Sequence, residues 1–160
     1  MQVFDASSIV HAWDNYPPEL FPPLWVWLAG EISANRLQMS QVALQEVHDV
    51  APDCHAWLVN SGIAALAVTS AIVHSANGLK SLIGVQGDDF HPKGVDENDL
   101  IIIATARSLG CGLVSNELQP STPIDLKKAK IPTICRLPQV SVQCQSFVEY
   151  LKHSKVVFSR

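Results

Sequence analysis

The chain has 160 residues, enough for one domain with a sizeable core and too few for two comfortable ones. Apolar residues make up 48% and charged residues 16%, which excludes an intrinsically disordered chain. The net charge of −4 excludes a broad basic nucleic-acid platform, though not an enzyme that meets phosphate through bound cations.

Gln2 to Phe4 reads as a short buried strand with Asp5 at its end. Ser7 and Ser8 can cap a short helix through Ile9, Val10 and Trp13, which Tyr16-Pro17-Pro18 stops. A second helix is expected from Pro22-Pro23 to about Asn35, with proline in its first turn. Ser40 caps a third, reaching about Val50, and His55 to Asn60 adds a turn. Ile63 to Ile83 is expected to be mostly helical, and Gly84 to Gly94 a loop. Asp99 to Leu109 is apolar nearly all round, the mark of a buried helix, and Gly110 ends it. Leu113-Val114 reads as a strand followed by Ser115-Asn116-Glu117. Ile131 to Cys135 and Val156 to Phe158 are expected as further strands, with a helix from Val142 to Leu151 between them.

Strands separated by helices imply an α/β fold with a largely parallel sheet, in a single domain over residues 1–160. Ligands of such sheets bind beyond the carboxyl ends of the strands, where Asp5 and Glu117 fall. There is no basic n-region after Met1, and the longest apolar stretch, Ile63 to Val73, is interrupted by Thr69 and Ser70. It is shorter than the about 20 residues a bilayer requires. A cytosolic protein without membrane contact is the expectation, with Cys54, Cys111, Cys135 and Cys144 as free thiols. None of the four stands in a CxxC pair, so a zinc knuckle is not expected. His48 and His55, flanking Cys54, read as surface histidines beside a half-buried thiol.

Four carboxylates stand out. Asp5 follows a hydrophobic strand, where by itself a turn or cap role is the commoner reading. At 100° per residue Ala43, Val47 and Val50 define the core face of the third helix, which places Glu46 at its margin, half-buried and in need of a partner. Asp99 heads the buried helix, where a plain N-cap also accounts for it. Asp96 and Glu97 before it make more acids than capping requires. Glu117, alone, reads as a solvated loop acid. As a set, carboxylates brought together cannot all ionise cheaply without a cation, and oxygen-only ligation selects Mg²⁺ or Mn²⁺. An acid-lined crevice with one or two such ions is a phosphodiester-cleaving site.

These segments resemble a known family. Val3-Phe4-Asp5-Ala6-Ser7-Ser8-Ile9 is similar to the opening strand of PIN domains, and Val42-Ala43-Leu44-Gln45-Glu46-Val47 to the helix with their second acid. Asp99-Leu100-Ile101-Ile102-Ile103-Ala104-Thr105-Ala106 resembles the segment with the third, and Leu113-Val114-Ser115-Asn116-Glu117 the strand that ends on the fourth. Order and spacing agree over residues 2 to 120. Lys128 to Cys135, with Tyr16-Pro17 and Phe21-Pro22-Pro23-Leu24-Trp25, extends the likeness to an uncharacterised prokaryotic branch.

The resemblance implies a three-layer α/β/α sandwich and a Mg²⁺- or Mn²⁺-dependent ribonuclease, with Asp5, Glu46, Asp99 and Glu117 as catalytic metal site. Ser7 and Ser115 support it through their hydroxyls, Asp96 as an outer acid, and Asn116 from the same strand end. Many small members are VapC-like toxins held by an antitoxin, and a homodimer is plausible from the family. Two departures matter: Glu117 stands where many relatives have Asp or Asn, and the chain is longer than a minimal toxin around residues 15–35 and 51–95. A catalytically silent module that binds RNA or a partner protein is the rival reading. An Asp-x-Asp phosphatase is disfavoured because Ser7 holds the third place, and a Rossmann site because residues 6–12 contain no glycine. Lys127, Lys128 and Lys130 read as a solvated run or as a guide for RNA phosphates. Trp13, Trp25, Trp27 and Trp57 are expected in the core rather than stacked on bases, because they lie in apolar helices.

Overall fold

A computed structural model of the chain describes residues 1–118 and 121–159. In chain order the elements are β1 (Gln2–Phe4), α1 (Ala6–Asn15), α2 (Pro22–Ser33), β2 (Leu37–Ser40), α3 (Gln41–Val50), α4 (Pro52–Asn60), β3 (Ala65–Leu66) and α5 (Ser70–Leu82). They continue with α6 (Glu97–Leu109), β4 (Gly112–Val114), a 3₁₀ turn (Leu126–Lys128), α7 (Ile131–Arg136), β5 (Cys144–Gln145) and α8 (Phe147–Ser154). The strands form one parallel sheet in the order β3-β2-β1-β4-β5. Val3 pairs with Leu113 and Phe4 with Val114, so β1 and β4 run side by side and end together. Helices flank this sheet, with α6 against β1 and β4 and α2 against β2, giving the α/β/α sandwich.

Local chemistry explains the elements. Val3, Phe4, Leu113 and Val114 are fully buried, as central parallel strands covered on both faces require. Ile102, Ile103, Ala104 and Ala106 are fully buried on α6, which Gly110 ends at φ 61 in the left-handed region. Ser40 caps α3 by accepting from Ala43 N at 3.2 Å, and Thr69 caps α5 by accepting from Ile72 N at 3.3 Å. Trp25 is buried between Trp13 and Trp57, with ring centroids 5.1 and 4.7 Å away in edge-to-face contact.

Several expectations need correction. Ile131 to Cys135 is a helix, not a strand. Pro132 in its first turn lacks an N–H that a helix start does not use and a central strand needs. A short apolar run cannot distinguish a buried helix from a strand by periodicity. Val156 to Phe158 is not a strand either, and Val157 is exposed. The strand beside β4 is β5, inside the stretch expected as helix. The helix itself starts at Phe147, where Ser146 and Glu149 form a capping box. β2 and β3 were not expected. Gln38 and Ser40 break the apolar run of β2, and β3 has two residues before Thr69 starts α5. Helix α4 begins at Pro52 and is longer than a single turn. The core face of α3 is Ala43, Leu44 and Val47, while Val50 points outward. Cys54 is fully buried rather than half-buried. Among the described residues, no helix is long and apolar enough to cross a membrane.

Candidate active site

The site is built where β1 and β4 end. Asp5 leaves β1 with its N–H donating to the Val114 carbonyl at 2.9 Å, which locks it to the neighbouring strand. Its side chain is turned inward and buried. One oxygen, Oδ2, accepts from both Ser7 Oγ and Ser115 Oγ, the latter at 2.9 Å. Ser7 Oγ in turn accepts from Asn116 N at 2.9 Å, and Ser115 Oγ from Glu117 N at 3.3 Å. The turn after β4 is thus folded onto Asp5 by two serine hydroxyls. Ser7 and Ser115 thus both hydrogen-bond Asp5.

Three more acids line a cleft of about 440 Å³ together with Asp96, Phe90, His91 and Lys130. Glu46 reaches it from α3, and Asn98 at the head of α6 donates to its Oε1 at 3.1 Å. Asp99 is the third residue of α6, not its N-cap. The cap is Asp96, and the two form a capping box in which each side chain accepts from the other's backbone N–H, at 3.0 and 2.9 Å. Capping therefore accounts for both Asp96 and Asp99 without reducing the negative charge at the cleft. Glu117 accepts from Ile131 N at 2.9 Å, and its other oxygen lies 3.8 Å from Lys130 Nζ. Asn116 is turned elsewhere: its Oδ1 accepts from Phe147 N at 2.8 Å and starts α8. It supports the scaffold rather than the cleft.

The electrostatics follow from crowding acids in a partly dry place. Burial raises the Asp5 carboxyl above its ordinary 3.8, against the hydrogen bonds from Ser7 and Ser115. Glu46 is pushed up to about 7, first by burial and then by the charges of Asp5, Asp96 and Glu117, with Asn98 opposing. Asp99 is pushed up to about 8, chiefly by burial, with Asp96, Glu117 and Asp5 adding to it against the Asp96 backbone N–H. Glu117 is also raised by burial, which the Ile131 N–H and Lys130 partly offset. The charge of Asp5 thus bears on all three cleft acids, and that of Glu117 on Glu46 and Asp99.

This donor set fits a hard divalent cation in chemistry and charge, being all oxygen with excess negative charge and one lysine among its neighbours. As the side chains stand, no three Asp, Glu, His or Cys groups among the described residues converge on one point as a ligand set. One oxygen of Glu46 is engaged by Asn98 and one of Glu117 by Ile131 N–H. Sequence reasoning missed Asn98 and did not single out Lys130 as the partner of Glu117. An amide directly before Asp99 was the available signal for the first. His48 and His55 meet edge to face at 4.9 Å on α3 and α4, away from the cleft, and burial pushes the Cys54 thiol between them in sequence up to about 12. Lys127 pairs with Asp89 at 3.2 Å. A separate cavity of about 650 Å³ is apolar, lined by residues such as Tyr16, Phe21 and Phe158, and contains none of these acids.

Comparison with known proteins agrees with the fold. A crystal structure of VapBC2 from Rickettsia felis bound to a DNA fragment from their promoter contains a chain that superposes with a TM-score of 0.57 at 15% identity, covering 91% of this chain and 97% of that one. The sandwich implied by the PIN resemblance is thus the fold this chain adopts. No curated protein matches the sequence. The model of a family described as a domain of unknown function, DUF4411, matches residues 2–158, and the chain belongs to that family.

Proposed function

We propose that the chain is a Mg²⁺- or Mn²⁺-dependent ribonuclease that hydrolyses RNA phosphodiesters at the cleft between Asp5, Glu46, Asp99 and Glu117, and that it is the toxin of a type II toxin–antitoxin pair. The observation that carries the reading is a cleft lined by Glu46 of α3, Asp99 of α6 and Glu117 after β4, with buried Asp5 at the end of β1 close enough that its charge raises the proton affinity of all three. Bound there, a divalent cation supplies a lowered pKa for water and a counter-charge for the leaving oxygen.

The protein residues have separable tasks. Asp5 is the fixed anchor, because two serines hold it and it is buried. Asp99 offers a carboxylate whose backbone is set by the capping box. Glu46 and Glu117 are the movable arms, each tethered by a single side-chain or backbone donor plus, for Glu117, Lys130. Lys130 lines the cleft and brings positive charge to where a scissile phosphate would lie. Hydrolysis in this arrangement leaves a 5′-phosphate and a 3′-hydroxyl. The antitoxin assignment rests on the likeness to VapC-like toxins and to a chain of the VapBC2 complex.

A second reading, a silent module that binds RNA or a partner protein, draws on the tethers of Glu46 and Glu117 and on the lack, among the described residues, of three acids gathered as a ligand set. Cleavage of a mixed RNA pool with Mn²⁺, with EDTA and by Asp5→Asn separates the two. Metal-dependent cutting lost in the variant supports the nuclease. Intact RNA in every lane, from folded protein freed of any co-purified partner, supports the module.

A further inference from the structure

The fold brings two of the four cysteines together beside the cleft. Cys135 lies in the last turn of α7 and is fully buried. Cys144 opens β5 and is partly exposed, in the wall of a cavity of about 340 Å³ shared with Arg136, Ser115 and Glu117. The backbone already joins these elements, since Val142 N donates to the Cys135 carbonyl at 3.0 Å. The thiols themselves lie within hydrogen-bonding reach of one another. We infer that Cys135 and Cys144 form an oxidant-driven intramolecular disulfide, with Cys144 as the attacking thiol and Cys135 as the resolving one.

The roles follow from access. An oxidant from solvent reaches the partly exposed Cys144 through the cavity that it lines. It does not reach Cys135, which has no exposed surface and whose proton is held by the Cys144 contact and by burial. Cys54 is fully buried and Cys111 lines a different cavity.

With hydrogen peroxide as the oxidant the step balances. The Cys144 thiolate attacks one peroxide oxygen, the O–O bond breaks, and the departing hydroxide takes a proton to become water. The Cys135 sulfur then attacks the sulfenic sulfur, the S–S bond forms, and the hydroxyl leaves with the Cys135 proton as a second water. Two thiols lose two electrons and two protons, and the peroxide is reduced to two waters. The bridge ties the end of α7 to β5, while the first N–H of α7 is the one that holds Glu117.

The test uses the full chain, reduced, then treated with hydrogen peroxide, alkylated and digested. Trypsin cuts after Lys130, Arg136 and Lys152, which places the cysteines on separate peptides, 131–136 and 137–152. The expected result is a crosslinked pair of these peptides, an intact mass lower by two hydrogens, and reversal by dithiothreitol. In Cys135→Ala, dimedone should trap a sulfenic acid on Cys144. In Cys144→Ser, Cys135 should stay alkylatable only after unfolding. A crosslink that joins Cys144 to Cys111 would overturn the inference. So would recovery of peptide 131–136 as free thiol while Cys144 is oxidised or all four thiols remain reduced. The wild-type map decides the matter even if the buried Cys135 variant does not fold.

Discussion

Replacing Glu46 by Gln should stabilise the protein while destroying its proposed activity. The amide keeps the shape of the side chain, and its oxygen can still accept from Asn98. What it removes is a carboxyl pushed up from 4.5 to about 7 by burial and by Asp5, Asp96 and Glu117. An acid with a raised folded pKa binds its proton more tightly in the native state than in the unfolded chain. Folding is therefore unpenalised by this group below about pH 4.5, and the penalty grows as pH rises to about 7, above which it is complete. At about 1.4 kcal/mol per pH unit the full penalty is about 3 kcal/mol, and screening by the open cleft reduces it to about 2 kcal/mol. For a chain of this size that corresponds to a rise in melting temperature of roughly 4–8 °C. The assay is thermal unfolding with EDTA at pH 5 and pH 8, wild type against Glu46→Gln. The gain should be present at pH 8 and nearly absent at pH 5. A variant that melts lower at pH 8, or whose gain is the same at both pH values, would refute the account of the site as a store of unrelieved negative charge.

Four further outcomes follow from the same geometry. Calorimetric Mn²⁺ affinity should increase as pH rises from 6 to 8, because Glu46 and Asp99 must shed protons held to about 7 and 8 before they can ligate, and an affinity flat across that range would contradict it. Asp5→Asn and Asp99→Asn should abolish RNA cleavage with little change in circular dichroism, and either variant cutting at the wild-type rate would remove that residue from the site. Ser115→Ala should cost about 1–3 kcal/mol in denaturant unfolding, since buried Asp5 loses a donor and Glu117 N an acceptor. Gly94→Ala should destabilise by about 1–3 kcal/mol, because a Cβ there meets the Lys127 carbonyl backbone, and an unchanged midpoint would show that the loop packs loosely on the 3₁₀ turn.

What the sequence made legible was set by length and chemistry. Helix α6 was readable because the run from Leu100 to Ala106 is almost entirely apolar and the helix ends on a glycine at positive φ. β1 and β4 were readable because each is a short apolar run followed by a polar residue on the site. The strands at either side were not. β3 and β5 have two residues each, and pairing with a neighbour, not their own pattern, makes them strands. Ile131 to Cys135 misled because a buried helix of one and a half turns and a buried strand have the same apolar content. The four acids could be named from their motifs, but their tethers could not. Nothing in the spacing of Asn98 and Glu46, 52 residues apart, announces a hydrogen bond. The capping box of Asp96 and Asp99 was hidden because either acid alone satisfies a helix start.

The distribution of the charge argues for a cation over the silent module. A module that bound RNA by its surface would gain from positive charge, since contact with phosphate is dominated by neutralisation. This fold does the reverse at the end of its central strands. It lines one cleft with carboxylates from α3, α6 and the β4 turn, sets buried Asp5 at the end of β1 close enough to act on them, and answers them with Lys130 in its wall. Capping explains Asp96 and Asp99, and Lys130 with Ile131 N–H explains how Glu117 is held, but neither explains why Glu46 projects from another helix into the same field. A hydrogen bond from one asparagine is small compensation for a carboxyl held near pH 7. A scaffold would be more stable with glutamine there, whereas a metal-loaded nuclease would not function. The sign of the Glu46→Gln stability change, read with and without Mn²⁺, therefore separates the two. A gain without metal that reverses once Mn²⁺ is added belongs to a metal site. A gain that Mn²⁺ leaves untouched belongs to a scaffold that tolerates a misplaced charge.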